Sequence, residues 1–77
     1  MKGYPKYLKE NYHHFKMITD KKYITVFVGN EDCRIELMAF ETMVPTTVRT
    51  ATESTKEEFT AVFNKAKNKL YELVIKN

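Results

Sequence analysis

The clearest pattern of apolar and polar positions lies in the last third of the chain. No glycine or proline interrupts residues 55–76. A capping-box pattern opens the segment, with Ser54 as the N-cap or Thr55 one residue later. The pattern predicts one long amphipathic helix over about residues 55–75. The helix face expected to lie on the core is formed by apolar residues that recur at steps of three and four, namely Phe59, Val62, Phe63, Ala66, Leu70, Leu73 and Val74.

The middle of the chain has the features of β-strands. Residues 23–28 are dense in β-branched and aromatic side chains, and apolar and polar residues alternate over residues 33–40. Between these runs, Gly29 and Asn30 indicate a turn, because both residue types tolerate a positive φ. We expect the two runs to form a hairpin, with a shorter strand over residues 14–18 before it.

Two segments allow alternatives. Residues 44–52 contain four threonines around Val48, which favours an edge-like fourth strand, with an extended loop as the alternative. Near the N-terminus, Pro5 suits the first turn of a helix. The spacing of the aromatic residues there is loosely helical. A short helix over residues 5–12 and an irregular arm both fit this pattern.

These elements predict an α+β fold in one domain, residues 1–77. An antiparallel β-meander of three to four strands, over about residues 13–52, would be covered by the C-terminal helix. A core of this size gives only about 3–5 kcal/mol of net stability unaided. Cys33 is the only cysteine, so no disulfide can form within the chain. The expected partner is therefore another protein or a second copy of this chain.

The sequence contains no signature of catalysis, of a metal site or of a cofactor site. His13 and His14 are neighbours, a spacing at which one metal ion is not easily bound by both. Cys33 opens an alternating strand, where a small buried hydrophobe is commoner than a reactive thiol. We expect no enzymatic activity, no metal and no cofactor. No apolar run approaches the length of a membrane span, and we expect a cytoplasmic protein.

The net charge of +3 is concentrated in the first third of the chain. Residues 1–23 hold six lysines and two acidic residues, and aromatic residues lie between the lysines. Lysines neutralise phosphates and exposed rings stack on unpaired bases, so the pattern suits a single-stranded nucleic acid. The residues that would bind it are Lys6, Lys9, Lys16, Lys21, Lys22, Arg34 and Arg49 for phosphates, and Tyr7, Tyr12 and Tyr23 for stacking.

The order of three or four strands followed by one helix is similar to that of the small single-stranded-DNA-binding coactivators of the positive cofactor four type. The resemblance covers the order of elements alone, so no residue role is carried over from that family. It implies a dimer formed through the helix, with nucleic acid bound on a curved sheet.

A protein-interaction factor is the first functional hypothesis, ahead of nucleic-acid binding. A dedicated nucleic-acid binder is usually more basic than +3. The factor would be an accessory subunit or an inhibitor of a larger machine, of the kind that phages and mobile elements encode. Its interface would include Ala61, Tyr71 and Ile75, on the flank of the helix, together with the exposed edge of the hairpin.

Overall fold

The sheet has five antiparallel strands, more than the sequence predicted. The computed structural model describes residues 3–76, and the side chains of residues 3–75. The strands are β1 (Lys6–Glu10), β2 (His13–Thr19), β3 (Lys22–Val28), β4 (Cys33–Ala39) and β5 (Thr52–Glu53). They lie in the order β4-β3-β2-β1-β5. Helix α1 (Thr46–Arg49) precedes β5, and the long helix α2 (Lys56–Tyr71) follows it. The α+β class, the meander and the C-terminal helix are confirmed.

Residues 5–12 form neither a helix nor an irregular arm, so both alternatives were wrong. Strand β1 occupies residues 6–10 and pairs with β2 over its whole length. Tyr7 and Leu8 therefore lie on opposite faces of the sheet. Leu8 is part of the core on one face, and Tyr7 packs against the core on the other. Asn11 closes the hairpin with φ of 53°, a left-handed conformation that asparagine adopts more readily than most residues. Burial of both neighbours explains why strand pairing prevails over a weak helical spacing.

The hairpin predicted over residues 23–40 is confirmed. Strands β3 and β4 pair without interruption from Lys22 opposite Ala39 to Val28 opposite Cys33. The turn between them is closed by the amide of Gly29, which donates to the carbonyl of Asp32 at 2.8 Å. Strand β2 pairs with the other side of β3, with a register irregularity between Met17 and Thr19.

Residues 44–52 are neither a full strand nor a plain loop. Pro45 precedes α1, which is a single turn of helix, and only Thr52 pairs with β1 as part of β5. Val44 and Val48 are buried against the sheet. The amide of Val44 donates to the carbonyl of Asp20 at 2.8 Å, which ties the segment to the β2–β3 turn. Burial of these two valines sets the local conformation and overrides the strand preference of the threonines.

Both faces of the sheet carry a core, because residues that face each other on antiparallel strands share a face. On the α2 face, Val26 packs with Phe59 and Ala66 of the helix. The opposite face, called the α1 face, is covered by the segment around α1. Its buried residues are Leu8, Phe15, Met17, Tyr23, Val44 and Val48. The helix therefore covers one face, and a second small core stabilises the other.

Helix α2 begins at the later of the two predicted caps. The Oγ1 of Thr55 accepts a hydrogen bond from the amide of Glu58 at 3.1 Å. Ser54 has a different role, because its hydroxyl donates to the carboxylate of Glu58 at 2.7 Å. The side chain of Ser54 thus holds the glutamate that follows the cap.

The last turn of the helix differs from the prediction. Leu73 and Val74 were expected on the core face, but both are exposed. They belong to a terminal turn, Glu72–Lys76, whose hydrogen bonds are those of a π-helix. Its close contacts are mainly with α2 itself, because the rod of the helix runs past the sheet. Among the residues that the structure describes, no helix is both long enough and apolar enough to span a membrane.

Two alanines of α2 provide a matched test of the packing. Ala66 is fully buried against the sheet, whereas Ala61 is exposed. We expect Ala66→Leu to lower the free energy of unfolding by about 1–3 kcal/mol, because a close-packed core resists added volume. Ala61→Leu should change it by less than about 0.5 kcal/mol. Urea unfolding of both variants measures the difference, and equal effects would contradict the packing described here.

Candidate functional site

A polar clasp joins β1 to the start of α2 and engages one of the predicted phosphate-binding residues. The Nζ of Lys9 lies 3.0 Å from Oε1 and 3.2 Å from Oε2 of Glu58. The hydrogen bonds from Ser54 and Lys9 lower the pKa of the Glu58 carboxyl below its usual value. Lys9 therefore has a structural partner in this fold.

Two of the three predicted stacking tyrosines pack inside the protein. The Tyr7 ring lies 5.7 Å from the ring of Phe59, centroid to centroid, on the α2 face. Tyr23 is only 8% exposed, and its ring lies edge-on to Phe15 at 5.6 Å. Burial raises the pKa of the Tyr23 hydroxyl. The third predicted stacking residue, Tyr12, lies in the β1–β2 turn and is 74% exposed.

The predicted basic residues are dispersed over both faces and both ends of the sheet. Lys16 lies over the Tyr7 ring on the α2 face, and Lys6 lies over the ring of Tyr4. Arg49 donates from Nε to the carbonyl of Val44 at 2.8 Å and from Nη2 to Thr46.

The remaining three basic candidates lie elsewhere. Lys21 and Lys22 lie at the β2–β3 turn, whereas Arg34 lies on the edge strand β4. The structure does not bring the ten candidates together as one surface.

One row of side chains on the α1 face is not covered by the segment around α1. The strand register places Glu10, His13, Phe27 and Arg34 side by side across four strands. The rings of His13 and Phe27 stack at 5.0 Å. From the sequence, His13 was considered only as half of a histidine pair. Knowledge of the register was needed to place it beside Phe27.

A shallow groove of about 530 Å³ continues this row towards Tyr12 and the β3–β4 turn. Phe27 and Tyr12 line it, together with Glu31 and Asp32 of the turn. With Glu10 and Glu36 nearby on the sheet, the acidic groups outnumber the two basic ones, Arg34 and Lys69, whose Nζ donates to the carbonyl of Asn30. The groove can hold an apolar or aromatic group, but its charge repels phosphate.

The exposed end of α2 forms an apolar patch that we call the helix tip, made of Tyr71, Leu73, Val74 and Ile75. These four side chains are 44–70% exposed. The predicted interface residues Tyr71 and Ile75 belong to it. Ala61 is also exposed, but it lies more than two turns earlier on the helix. Leu73 and Val74 were missed because their spacing fits the core-facing stripe.

The edge strand β4 is a second candidate surface. The α2 face of this strand carries Ile35 and Leu37, and Leu37 is 62% exposed despite its apolar side chain. On the other face, the Nε of Arg34 lies 3.3 Å from Oε1 of Glu36. Cys33 is half-buried, and its Sγ lies 3.6 Å from the carbonyl oxygen of Ala66. The exposed hairpin edge expected from the sequence is therefore this strand.

The residues considered for metal or catalytic chemistry are separated in space. His13 and His14 point to opposite faces of β2. In the described part of the chain, no three His, Cys, Asp or Glu side chains gather where a metal ion could bind. An open cavity of about 670 Å³ has Lys6, Arg49 and Glu53 as its charged lining residues.

Comparison with protein-family models, with curated proteins and with solved structures finds no match for this chain.

The burial of His14 predicts that the free energy of unfolding depends on pH. Its side chain lies on the α2 face, and the buried Nδ1 has no hydrogen-bond partner. Burial lowers the pKa of this imidazole below its usual value of 6.5. The unfolded chain then binds the proton more readily, so stability is complete above about pH 6.5 and falls as the pH drops towards the folded pKa.

We expect the free energy of unfolding of the wild-type protein to fall between about pH 7.5 and about pH 5.5. His14→Leu should flatten this dependence. His13→Leu should change it only slightly, because the charge of His13 is the smallest of the causes that shift the pKa of His14. Urea unfolding of the wild-type protein and both variants at the two pH values measures the change in the free energy of unfolding. An unchanged slope in His14→Leu would show that His14 is not the titrating group.

Proposed function

We propose that this protein is a small, non-enzymatic interaction factor that binds a protein partner through the helix tip and the free edge of β4. It would act inside the cell as an accessory subunit or an inhibitor of a larger assembly. The observation that carries the proposal is the helix tip, where four apolar side chains are 44–70% exposed on a turn that extends past the sheet. Contiguous exposed apolar surface of this kind is typical of interaction sites.

The arrangement of the tip suits insertion into a groove. Val74 and Ile75 lie three and four residues after Tyr71, the spacing by which a helix presents anchors to an apolar cleft. Lys67 lies one turn before Tyr71 and is exposed. The partner that fits is therefore a protein with an apolar groove and an acidic residue at its rim.

Nucleic-acid binding is the second candidate, supported by the exposed rings of Tyr12 and His13 and the half-buried ring of Phe27. Aromatic rings of this kind can stack on bases. The acidic residues around these rings, and the distance between them and the lysines of the β2–β3 turn, weaken this alternative. Phosphate contacts provide most of the affinity for nucleic acids. Arg34 is the neighbour of Phe27 on β4, but it is paired with Glu36, so these rings would bind weakly.

The helix tip can be tested by photo-crosslinking in the native host. A benzophenone amino acid placed at Tyr71 should form an adduct with one defined protein, because the tip would lie inside the partner's groove. The same probe at Asn64, exposed on the same helix, is the matched control and should give no such adduct. The double variant Val74→Asp/Ile75→Asp, with the probe still at Tyr71, should abolish the adduct.

The proposal fails if the probe at Tyr71 gives no adduct. It also fails if Asn64 gives the same one. Circular dichroism of the double variant shows whether the chain is still folded, and we expect no loss of structure because both side chains are exposed.

A nucleic-acid titration separates the two candidates. We expect the fluorescence anisotropy of a labelled single strand of about 20 nucleotides to show no micromolar binding at about 50 mM salt. Micromolar binding that weakens roughly tenfold or more at about 200 mM salt would favour the nucleic-acid alternative. Tyr12→Ala would then test whether the exposed aromatic row is the binding surface.

A further inference from the structure

Strand β4 is the long open edge of the sheet. It holds seven residues and ends the strand order, whereas β5 at the opposite edge has two. An edge strand presents a row of unpaired backbone donors and acceptors, and proteins usually protect it with lysine, proline or a bulge. Strand β4 contains neither lysine nor proline, and its register with β3 is regular. Lysine, proline and a bulge are therefore absent from this described strand, whose two charged residues are Arg34 and Glu36.

The charges on β4 are complementary to themselves. Arg34 and Glu36 are two residues apart, so they share the α1 face of the strand, and both side chains are largely exposed. A strand with charges of one sign repels a second copy in every register. A strand with one charge of each sign, two residues apart, attracts a second copy in one antiparallel register.

We propose that the protein forms a homodimer in which β4 pairs antiparallel with β4 of a second copy, with Ile35 on the two-fold axis. In this register Arg34 lies opposite Glu36 of the second copy, and Glu36 lies opposite its Arg34. A two-fold axis at Glu36 would oppose two glutamates, and one at Arg34 would oppose two arginines. Directly opposed like charges are destabilising, so electrostatics favours the Ile35 register over both.

The same register gives Leu37 an apolar environment. Leu37 faces Cys33 of the second copy, on the α2 face. In each copy the Cys33 sulfur lies 3.6 Å from the carbonyl oxygen of Ala66, so the second copy's helix lies beside this position. A leucine that is 62% exposed in the monomer is thereby brought next to a helix. The dimer has one continuous sheet with both helices on the same side.

The inference rests on the proposed function only in that β4 is a binding surface. In this dimer the second copy occupies the edge of β4, so a protein partner would bind through the helix tip, which lies on a different element. Loss of the dimer and loss of the helix-tip adduct can therefore be measured separately.

A charge-swap series tests the pairing. In sedimentation experiments at micromolar concentration and above, we expect the wild-type chain to dimerise. Glu36→Arg would place arginines opposite each other and should weaken the dimer at least tenfold, as should Arg34→Glu. The double variant Arg34→Glu/Glu36→Arg restores opposite charges and should restore the dimer. Glu57→Arg, at an exposed position on α2, is the control and should have no effect.

A monomer at all concentrations would overturn the proposal. The proposal would also be overturned if the single charge reversals did not weaken the dimer, or if the double variant did not restore it. The rescue by the double variant also shows that the single variants lose pairing rather than folding.

A disulfide test fixes the register. With Ile35 on the axis, Leu37→Cys places a second thiol opposite Cys33 of the other copy, so mild oxidation with copper phenanthroline should give a covalent dimer. Ala39→Cys would link to Cys33 only if Glu36 lay on the axis. We expect a link with Leu37→Cys and none with Ala39→Cys, and the reverse result would overturn the proposed register.

Discussion

The fold depends on the close contact between α2 and the middle of the sheet. Val26 and Ala66 are both 0% exposed, and the small side chain of Ala66 lets the helix approach Cys33 on the neighbouring strand. The clasp between Lys9 and Glu58 fixes the beginning of the helix over β1. These two attachments determine the path of the helix. Its last turn consequently lies beyond the sheet and keeps its apolar residues exposed.

The sequence predicted the elements that have a strong local pattern. The helix and the β3–β4 hairpin were correctly placed because their apolar residues repeat at the periods of helix and strand. Strand β1 and helix α1 were missed because tertiary burial determines them. Leu8 forms a strand and Val48 a helical turn only because a second core exists on the α1 face. Nothing in the local pattern indicated that core.

The candidate surfaces were predictable only in part. Tyr71 and Ile75 were identified because they lie beside the apolar stripe of the helix. Leu73 and Leu37 fit the core pattern of their elements, and they are exposed because the helix and the sheet end at different places. Tyr7 and Tyr23 were candidates for stacking on bases, but a chain with two small cores uses these rings for packing. Residue type alone does not distinguish these uses.

Taken together, the exposed tip of the helix and the open edge of the sheet favour protein recognition over nucleic-acid binding, because the basic residues are dispersed and partly paired. Helix α2 is anchored through Ala66, whereas the side chains of residues 71–75 are exposed. Residue-resolved amide hydrogen exchange of the free protein tests this claim most directly. The account predicts the slowest exchange in β3 and around Ala66, with rapid exchange beyond Tyr71. Uniform protection from Phe59 to Ile75 would contradict it.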